Sequence, residues 1–237
     1  MIDRFDLKPG VRMAGKYDVD SFIGGGWEGE VYKVVEAATG LTRAAKLFFP
    51  HRNEGNRAVK KYALKLDRLR EVPSVVQYHS TEVIRKRGQA VTCLVSEFID
   101  GVVLEKLIKD QPGKRMAAFE ALCLVHTLTQ AVEQVHEAGE YHGDLHSYNI
   151  LVARSGVRFV PHIVDFFDRG SEKRHAREDD VVDLVHMLYH AVGGKTWYSK
   201  QPHVIKEICK GLRRDLILKR FPTAGRLRRH LESFSWE

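Results

Sequence analysis

The sequence predicts an α+β protein of two lobes, a strand-rich N-terminal part with one helix followed by a mostly helical remainder. Between Tyr17 and Ile99, short apolar runs alternate with turn signals, as strands of an antiparallel sheet do. From Phe119 onward, apolar residues recur at spacings of three or four, the period of an amphipathic helix. A short polar link, Asp100-Gly101, separates the two patterns and marks the expected boundary. At 237 residues, 43% hydrophobic and 29% charged, the chain is ordinary for a soluble globular protein of one large or two small domains.

The elements follow in order. YDVDSFI, EVYKVV and TRAAKLFF, split by GGG and by the ATG turn, predict a three-strand meander from Tyr17 to Phe49. Val59, Tyr62, Ala63, Leu66 and Leu69 place one amphipathic helix over about Asn56 to Arg70, stopped by Pro73. SVVQYHSTEVI and QAVTCLVSEFI, joined by the polar turn RKRG, add two strands and complete a five-stranded sheet. Beyond the link, Phe119, Leu122, Val125, Leu128, Val132 and Val135 define a long helix with Gly139 as its C-terminal cap. A second apolar helix covers about Asp179 to Val192, and HVIKEICKGL and TAGRLRRHLESF supply two more.

Composition narrows the function classes. No window approaches the ~18 apolar residues a membrane span needs, and the N-terminus lacks a signal-like apolar core, so a cytoplasmic protein without a membrane partner is expected. Cys93, Cys123 and Cys209 are odd in number and sit in apolar contexts, which reads as reduced core thiols. Net charge is +7, with basic clusters at 85–87, 173–177 and the C-terminus. An anionic ligand or partner and a plain solvated basic face both account for that charge. Direct nucleic-acid binding is not favoured, because no aromatic stacking pattern accompanies the arginines.

Gly24-x-Gly26-x-x-Gly29-x-Val31 lies between two strand-like runs. Without a helix after it, this spacing is either a plain hairpin turn or a flexible hairpin able to close over a nucleotide. Fifteen residues past Val31, Lys46 stands among apolar residues on a predicted strand. An edge-strand lysine would explain it, and so would a role on nucleotide phosphates that offsets its desolvation. Asp144, Asn149 and Asp165 flank the short apolar strands NILV and IVDFF, and their oxygens suit a hard cation such as magnesium.

In this order, glycine hairpin, lysine, aspartate, asparagine and aspartate, the chain resembles the protein kinases from about Tyr17 to Leu231. IGGGWEGEV looks like the glycine-rich loop, Ala44 and Lys46 match the Ala-x-Lys strand, and CLVSEFIDG looks like the segment linking the lobes, with Ser96 at the gatekeeper position. HGDLHSYN takes the place of the catalytic loop and VDFF that of Asp-Phe-Gly. The resemblance implies one kinase-like domain over 1–237, with an N-lobe of about 12–99 and a C-lobe of about 102–237, and a shortened activation segment. It also implies an ATP- and magnesium-dependent kinase, in first place a serine/threonine protein kinase, acting on a hydroxyl acceptor that the sequence does not identify.

By the same resemblance, Asp144 would orient the acceptor hydroxyl and take its proton, while Asn149 and Asp165 would hold Mg2+ and Lys46 would pair with the α and β phosphates. ATP would meet Ile23, Gly24, Gly26, Gly29, Val31, Ala44, the Glu97 to Ile99 backbone and Leu151. His142 and Asp180 would brace the catalytic loop. For the helix acid that usually pairs with the strand lysine, counting back from Leu66 and Leu69 puts Tyr62 at its place. That leaves Glu54, or no helix acid at all, with Lys46 paired only to Asp165 or the nucleotide.

Several residues depart from the family pattern. Gly143 replaces the arginine that reads a phosphorylated activation loop, so constitutive competence is expected. His146 stands where a lysine usually faces the γ-phosphate, and HGDLH is similar to the loop of aminoglycoside and choline phosphotransferases. Phe167 follows Asp165-Phe166 where glycine is usual, only fifteen positions separate Asp165 from Asp180, and no Ala-Pro-Glu motif occurs between them. The runner-up readings are a small-molecule phosphotransferase and a pseudokinase scaffold.

Overall fold

Residues 2–156, 158–168, 170 and 172–233 are described by the structure, a computed structural model. The predicted meander forms as β2 (Tyr17–Gly25), β3 (Gly29–Glu36) and β4 (Thr42–Phe48), preceded by a two-residue strand β1 (Arg12–Met13) that the sequence does not announce. After helix α1 (Arg57–Arg68) come β5 (Tyr78–Lys86) and β6 (Gln89–Glu97). The result is an antiparallel sheet of six strands rather than five, in the order β1-β2-β3-β4-β6-β5. The chain divides into two compact units: one runs to Arg70 and includes Val76–Ile99, the other holds Glu71–Val75 and the chain from Asp100 onward.

In the first unit, strand alternation sorts the side chains onto two faces. Tyr32, Val34, Ala45, Leu47, Cys93 and Val95 point into one core, covered by Ile2, Phe5 and Leu7 from the N-terminal segment. Each fully buried side chain of this size contributes about 1.5–3 kcal/mol, so the segment before β1 belongs to the unit's stability. On the opposite face the ladder partners Val31 and Lys46, Lys46 and Leu94, and Ala44 and Ser96 lie side by side.

The second unit begins with β7 (Val102–Val103) and α2 (Leu104–Lys109) and centres on the 20-residue α3 (Ala118–Glu137). Its apolar stripe, including Leu124, Val125, Leu128 and Val132, is buried. It packs against α4 (Lys173–Ala191) and α8 (Ala224–Leu231), with α5 (Gly194–Trp197), α6 (His203–Cys209) and α7 (Arg214–Arg220) completing the helical part. Strands β8 (Ile150–Ser155) and β9 (Arg158–Ile163) pair with β7 in a small antiparallel sheet.

Three expectations are corrected. Ile150, Leu151 and Val152 of NILV open β8 with Asn149 in the turn just before it, but β9 ends at Ile163, so VDFF lies beyond the strand. Helix α4 starts at Lys173, not near Asp179. Its first two turns are charged and are held from outside: Lys173 Nζ donates to the Gly139 carbonyl (2.8 Å) and Arg177 Nε to that of Glu140 (3.1 Å). Helices α2 and α7 have six and seven residues, too few for a periodicity to show. The last helix ends at Leu231, and Phe234 of the predicted TAGRLRRHLESF run lies outside the described residues, as do Arg169 and Ser171.

Candidate active site

In the first unit the glycine motif is a β2–β3 hairpin. Gly24 pairs with Val31, and the turn closes through the Gly26 N–H on the Gly29 carbonyl (2.9 Å). At Gly29 a Cβ would overlap the Leu47 carbonyl, so only glycine lets β3 lie this close to β4. Ile23 is 48% exposed on the hairpin, while Val31, Ala44 and Lys46 share the sheet face opposite the core. Glu97 ends β6 with its N–H on the Gln77 carbonyl (3.0 Å) and its carboxylate accepting the Gln77 N–H (2.8 Å), and Ile99 lies just past the strand.

Lys46 is held by an acid that sequence reasoning missed. Its Nζ lies 2.8 Å from Glu28 Oε2, with side-chain exposures of only 12% and 22%. It also faces the rings of Phe48 and Tyr62, 5.2 and 5.1 Å from their centroids. The Glu54 alternative is corrected: that residue is exposed in the short turn before α1 and forms no ion pair among the described residues. Tyr62 does occupy the expected helix position. Glu28 sits inside the glycine motif, and only the strand register reveals its reach to Lys46.

In the second unit a 3₁₀ turn, Ser147–Asn149, fixes the loop that carries Asp144. Asp180, fully buried, accepts the N–H groups of His142 (2.7 Å) and Gly143 (2.9 Å) and the His136 ring Nε2 (3.0 Å). His142 accepts the Asp144 N–H at Nδ1 (3.1 Å) and donates from Nε2 to the Val164 carbonyl (2.9 Å), which fixes its tautomer. The loop is thereby stitched to VDFF, and the Phe167 N–H on the His142 carbonyl (2.9 Å) adds a second stitch.

Asn149 is buried, and its Nδ2 donates to the Asp144 carbonyl (2.9 Å), with His146 Nε2 at 3.3 Å. That leaves Oδ1 as the atom an incoming cation would meet. Asp165 is exposed and adopts a left-handed backbone (φ 61°), a conformation short polar residues tolerate better than most. Two hard oxygen donors fit a magnesium ion that takes its remaining ligands from phosphates and water. No cluster of three or more His, Cys, Asp or Glu suited to a metal occurs among the described residues. Asp144 and His146 are half exposed, with His146 Nε2 3.4 Å from Asp144 Oδ2. Leu151, in β8, pairs with Val103 and His162.

A second support was not legible in the sequence. Glu105 of α2, 7% exposed, accepts from Ser147 Oγ (2.7 Å) and His190 Nε2 (2.7 Å) and pairs with Lys109 (2.9 Å). Burial opposes its ionisation, but the bonds from Lys109, Ser147 and His190 outweigh that and hold the carboxyl at about 2. Tyr141 Oη donates to Asp168 Oδ1 (2.8 Å), and burial followed by that bond pushes the phenol up to about 12.

Comparison with known proteins gives one consistent result. The family model for the protein kinase domain matches residues 17–211. Cyclin-dependent kinase B2-2 of Arabidopsis thaliana is 29% identical over 160 residues, covering 65% of this chain and 50% of that protein. A probable cyclin-dependent serine/threonine-protein kinase of Dictyostelium discoideum is 30% identical over 193 residues, covering 78% of this chain and 28% of its own length. The chain thus spans half or less of these curated relatives. Among solved structures, a double mutant of the Mycobacterium tuberculosis PknI kinase domain aligns over 97% of this chain and 98% of its own, with a TM-score of 0.69 at 17% identity. A single cysteine-to-alanine mutant of the same domain covers 96% of this chain and 98% of its own, with a TM-score of 0.70 at 17% identity. These structures share the fold.

Proposed function

The chain belongs to the protein kinase family, and from that premise we propose that it transfers the γ-phosphate of ATP to a hydroxyl, in first place that of a serine or threonine in a protein. The observation that carries the reading is the loop geometry of the second unit, where Asp144 and Asn149 are tied together through the Asp144 carbonyl and the whole loop hangs on buried Asp180. A carboxylate held in place with its outer half exposed is suited to orient an acceptor hydroxyl and take its proton. Asn149 and Asp165 would hold Mg2+, which when bound supplies charge neutralisation on the phosphate oxygens. Lys46 would meet the α and β phosphates, the hairpin backbone would approach them closely at Gly24 and Gly26, and Val31, Ala44 and Leu151 would take the adenine. Because phosphoryl transfer depends mainly on positioning and charge neutralisation, no strong nucleophile is required of the protein.

The test is ATP turnover and label transfer, with wild type compared to Asp144→Ala and Asp165→Ala. Magnesium-dependent labelling of protein that both variants abolish supports the reading, whereas nucleotide binding without turnover replaces it with a pseudokinase scaffold.

One observation favours a second acceptor class. Helix α4 begins at Lys173, so only residues 166–172 lie between Asp165 and the next helix, which leaves little chain for a peptide platform. Together with the HGDLH loop, this supports a small-molecule phosphotransferase. ATP consumption triggered by a metabolite fraction, with no protein labelled, would favour it over the first reading. The segment from Ile2 to Ser233 contains no helix long and apolar enough to cross a membrane among the described residues.

A further inference from the structure

We infer that Glu28, inside the glycine hairpin, is a positioning carboxylate of Lys46, and that helix α1 contributes an aromatic face instead of an acid. This rests on the reading of Lys46 as the phosphate-binding lysine. The helix has no acid to offer on the Lys46 side. Its one acidic residue, Asp67, is exposed and faces Arg70 Nη1 (3.4 Å), and the side chain it turns to Lys46 is Tyr62. Glu28 Oε2 stands 2.8 Å from Lys46 Nζ instead.

The backbone fixes where Glu28 stands. Its carbonyl accepts the Phe49 N–H (2.8 Å) just beyond β4, and the next residue, Gly29, is pressed against the Leu47 carbonyl where no side chain fits. Glu28 is therefore anchored at both its own peptide and the following one, in the hairpin bend just before the strand that neighbours the lysine's strand. With both side chains largely shielded from water, the pair is less screened than a surface ion pair. An ammonium carries three donors, so Lys46 can serve phosphate oxygens while Glu28 holds its orientation.

The chemical consequence is a coupling within one unit. In this arrangement, the hairpin that lays its backbone N–H groups along phosphates also supplies the counter-ion that aims the lysine. A movement of the hairpin then moves Lys46 through its carboxylate partner, whereas a movement of α1 acts on it through the Tyr62 ring.

The experiment compares wild type with Glu28→Gln, Glu28→Asp and Glu54→Gln. It measures adenosine and Mg–ATP affinity by calorimetric titration, and kcat and KM for ATP turnover. Glu28→Gln should lower ATP affinity or kcat about tenfold while adenosine affinity stays within about twofold, since adenosine carries no phosphate. Glu28→Asp should recover part of the loss, and Glu54→Gln should match wild type. Unchanged adenosine binding also shows that the variants fold. Equal behaviour of Glu28→Gln and Glu54→Gln overturns the inference, and so does tighter ATP binding by Glu28→Gln, which would make Glu28 a competitor of the phosphates. A wild type that binds ATP without turnover defeats the proposed activity, and the two affinities then decide for or against Glu28 on their own. A wild type that binds neither nucleotide nor nucleoside overturns both.

Discussion

The Cα of Gly143 faces the carbonyl oxygen of Phe167 so closely that a Cβ on residue 143 would overlap it. Gly143 also has φ of 87°, a backbone region in which a side chain is strained regardless of space. The missing arginine at this position is therefore a geometric requirement of the loop.

Gly143→Arg should consequently destabilise the protein and not install loop-phosphate control. The left-handed backbone alone costs on the order of 1–2 kcal/mol, and the overlap with Phe167 adds to it. A thermal melt should show a fall of several degrees, with ATP turnover reduced and unaffected by pretreatment with an activating kinase. An increase in turnover after such pretreatment would contradict this.

Asp180 offers a second test. Its two oxygens accept two backbone N–H groups and a histidine N–H, and none of its surface meets water. Asp180→Asn would turn one accepting oxygen into a donor facing another donor. Breaking a buried charged network in this way costs roughly 3 kcal/mol. Urea denaturation should report that loss, and kcat should fall more steeply than ATP affinity, because the loop that carries Asp144 loses its anchor while the hairpin of the other unit does not.

How much of this was legible in the sequence depends on the range of the interaction. Motif positions such as Asp144, Asn149, Asp165 and Asp180 were readable because each sits in a local pattern with fixed spacing. The pairing of Glu28 with Lys46 was not, since it depends on the register of two strands and crosses 18 positions. Glu105 reaches Ser147 across 42 positions and His190 across 85, and no local pattern carries such a triad. The start of helix α4 is hidden because its first turns are charged and are held by carbonyls of Gly139 and Glu140 instead of an apolar stripe. Gly143 stands out in the sequence as a departure, but its positive φ and its contact with Phe167 belong to the folded loop.

The Glu105 triad predicts an acid limb. Its carboxyl is near 2 in the folded protein against 4.5 as the ordinary value, so the unfolded chain binds the proton first as pH falls. Its contribution is complete above about pH 4.5 and is lost as pH falls toward 2, amounting to on the order of 2 kcal/mol once solvent at half-exposed His190 is allowed for. Glu105→Gln should flatten the fall in melting temperature between pH 4.5 and pH 3 relative to wild type. At pH 7 it should lower stability and turnover together, because Ser147 lies between Asp144 and Asn149.

The N-terminal segment predicts an alkaline limb in the other unit. Tyr32 Oη donates to Glu30 Oε2 and accepts the Leu7 N–H (3.2 Å), while the Phe5 N–H donates to the same Glu30 oxygen (3.1 Å). Phe5 stacks on Phe49 at 5.2 Å, so the two bonds and the ring contact hold the segment over the core. Burial, then the bond to Glu30, pushes the Tyr32 phenol up to about 12 from an ordinary 10.0. The group is neutral when protonated, so its contribution is fully present below pH 10 and is lost as pH rises toward 12. Tyr32→Phe should remove that slope and lower stability at pH 8 by roughly 1–3 kcal/mol, since it strips the Leu7 N–H of its acceptor and Glu30 of a donor. Denaturation at pH 8 and pH 11 checks the slope. Hydrogen exchange at the amides of Phe5 and Leu7 checks the cause, and it should accelerate at least tenfold in the variant while amides of α3 exchange as in wild type.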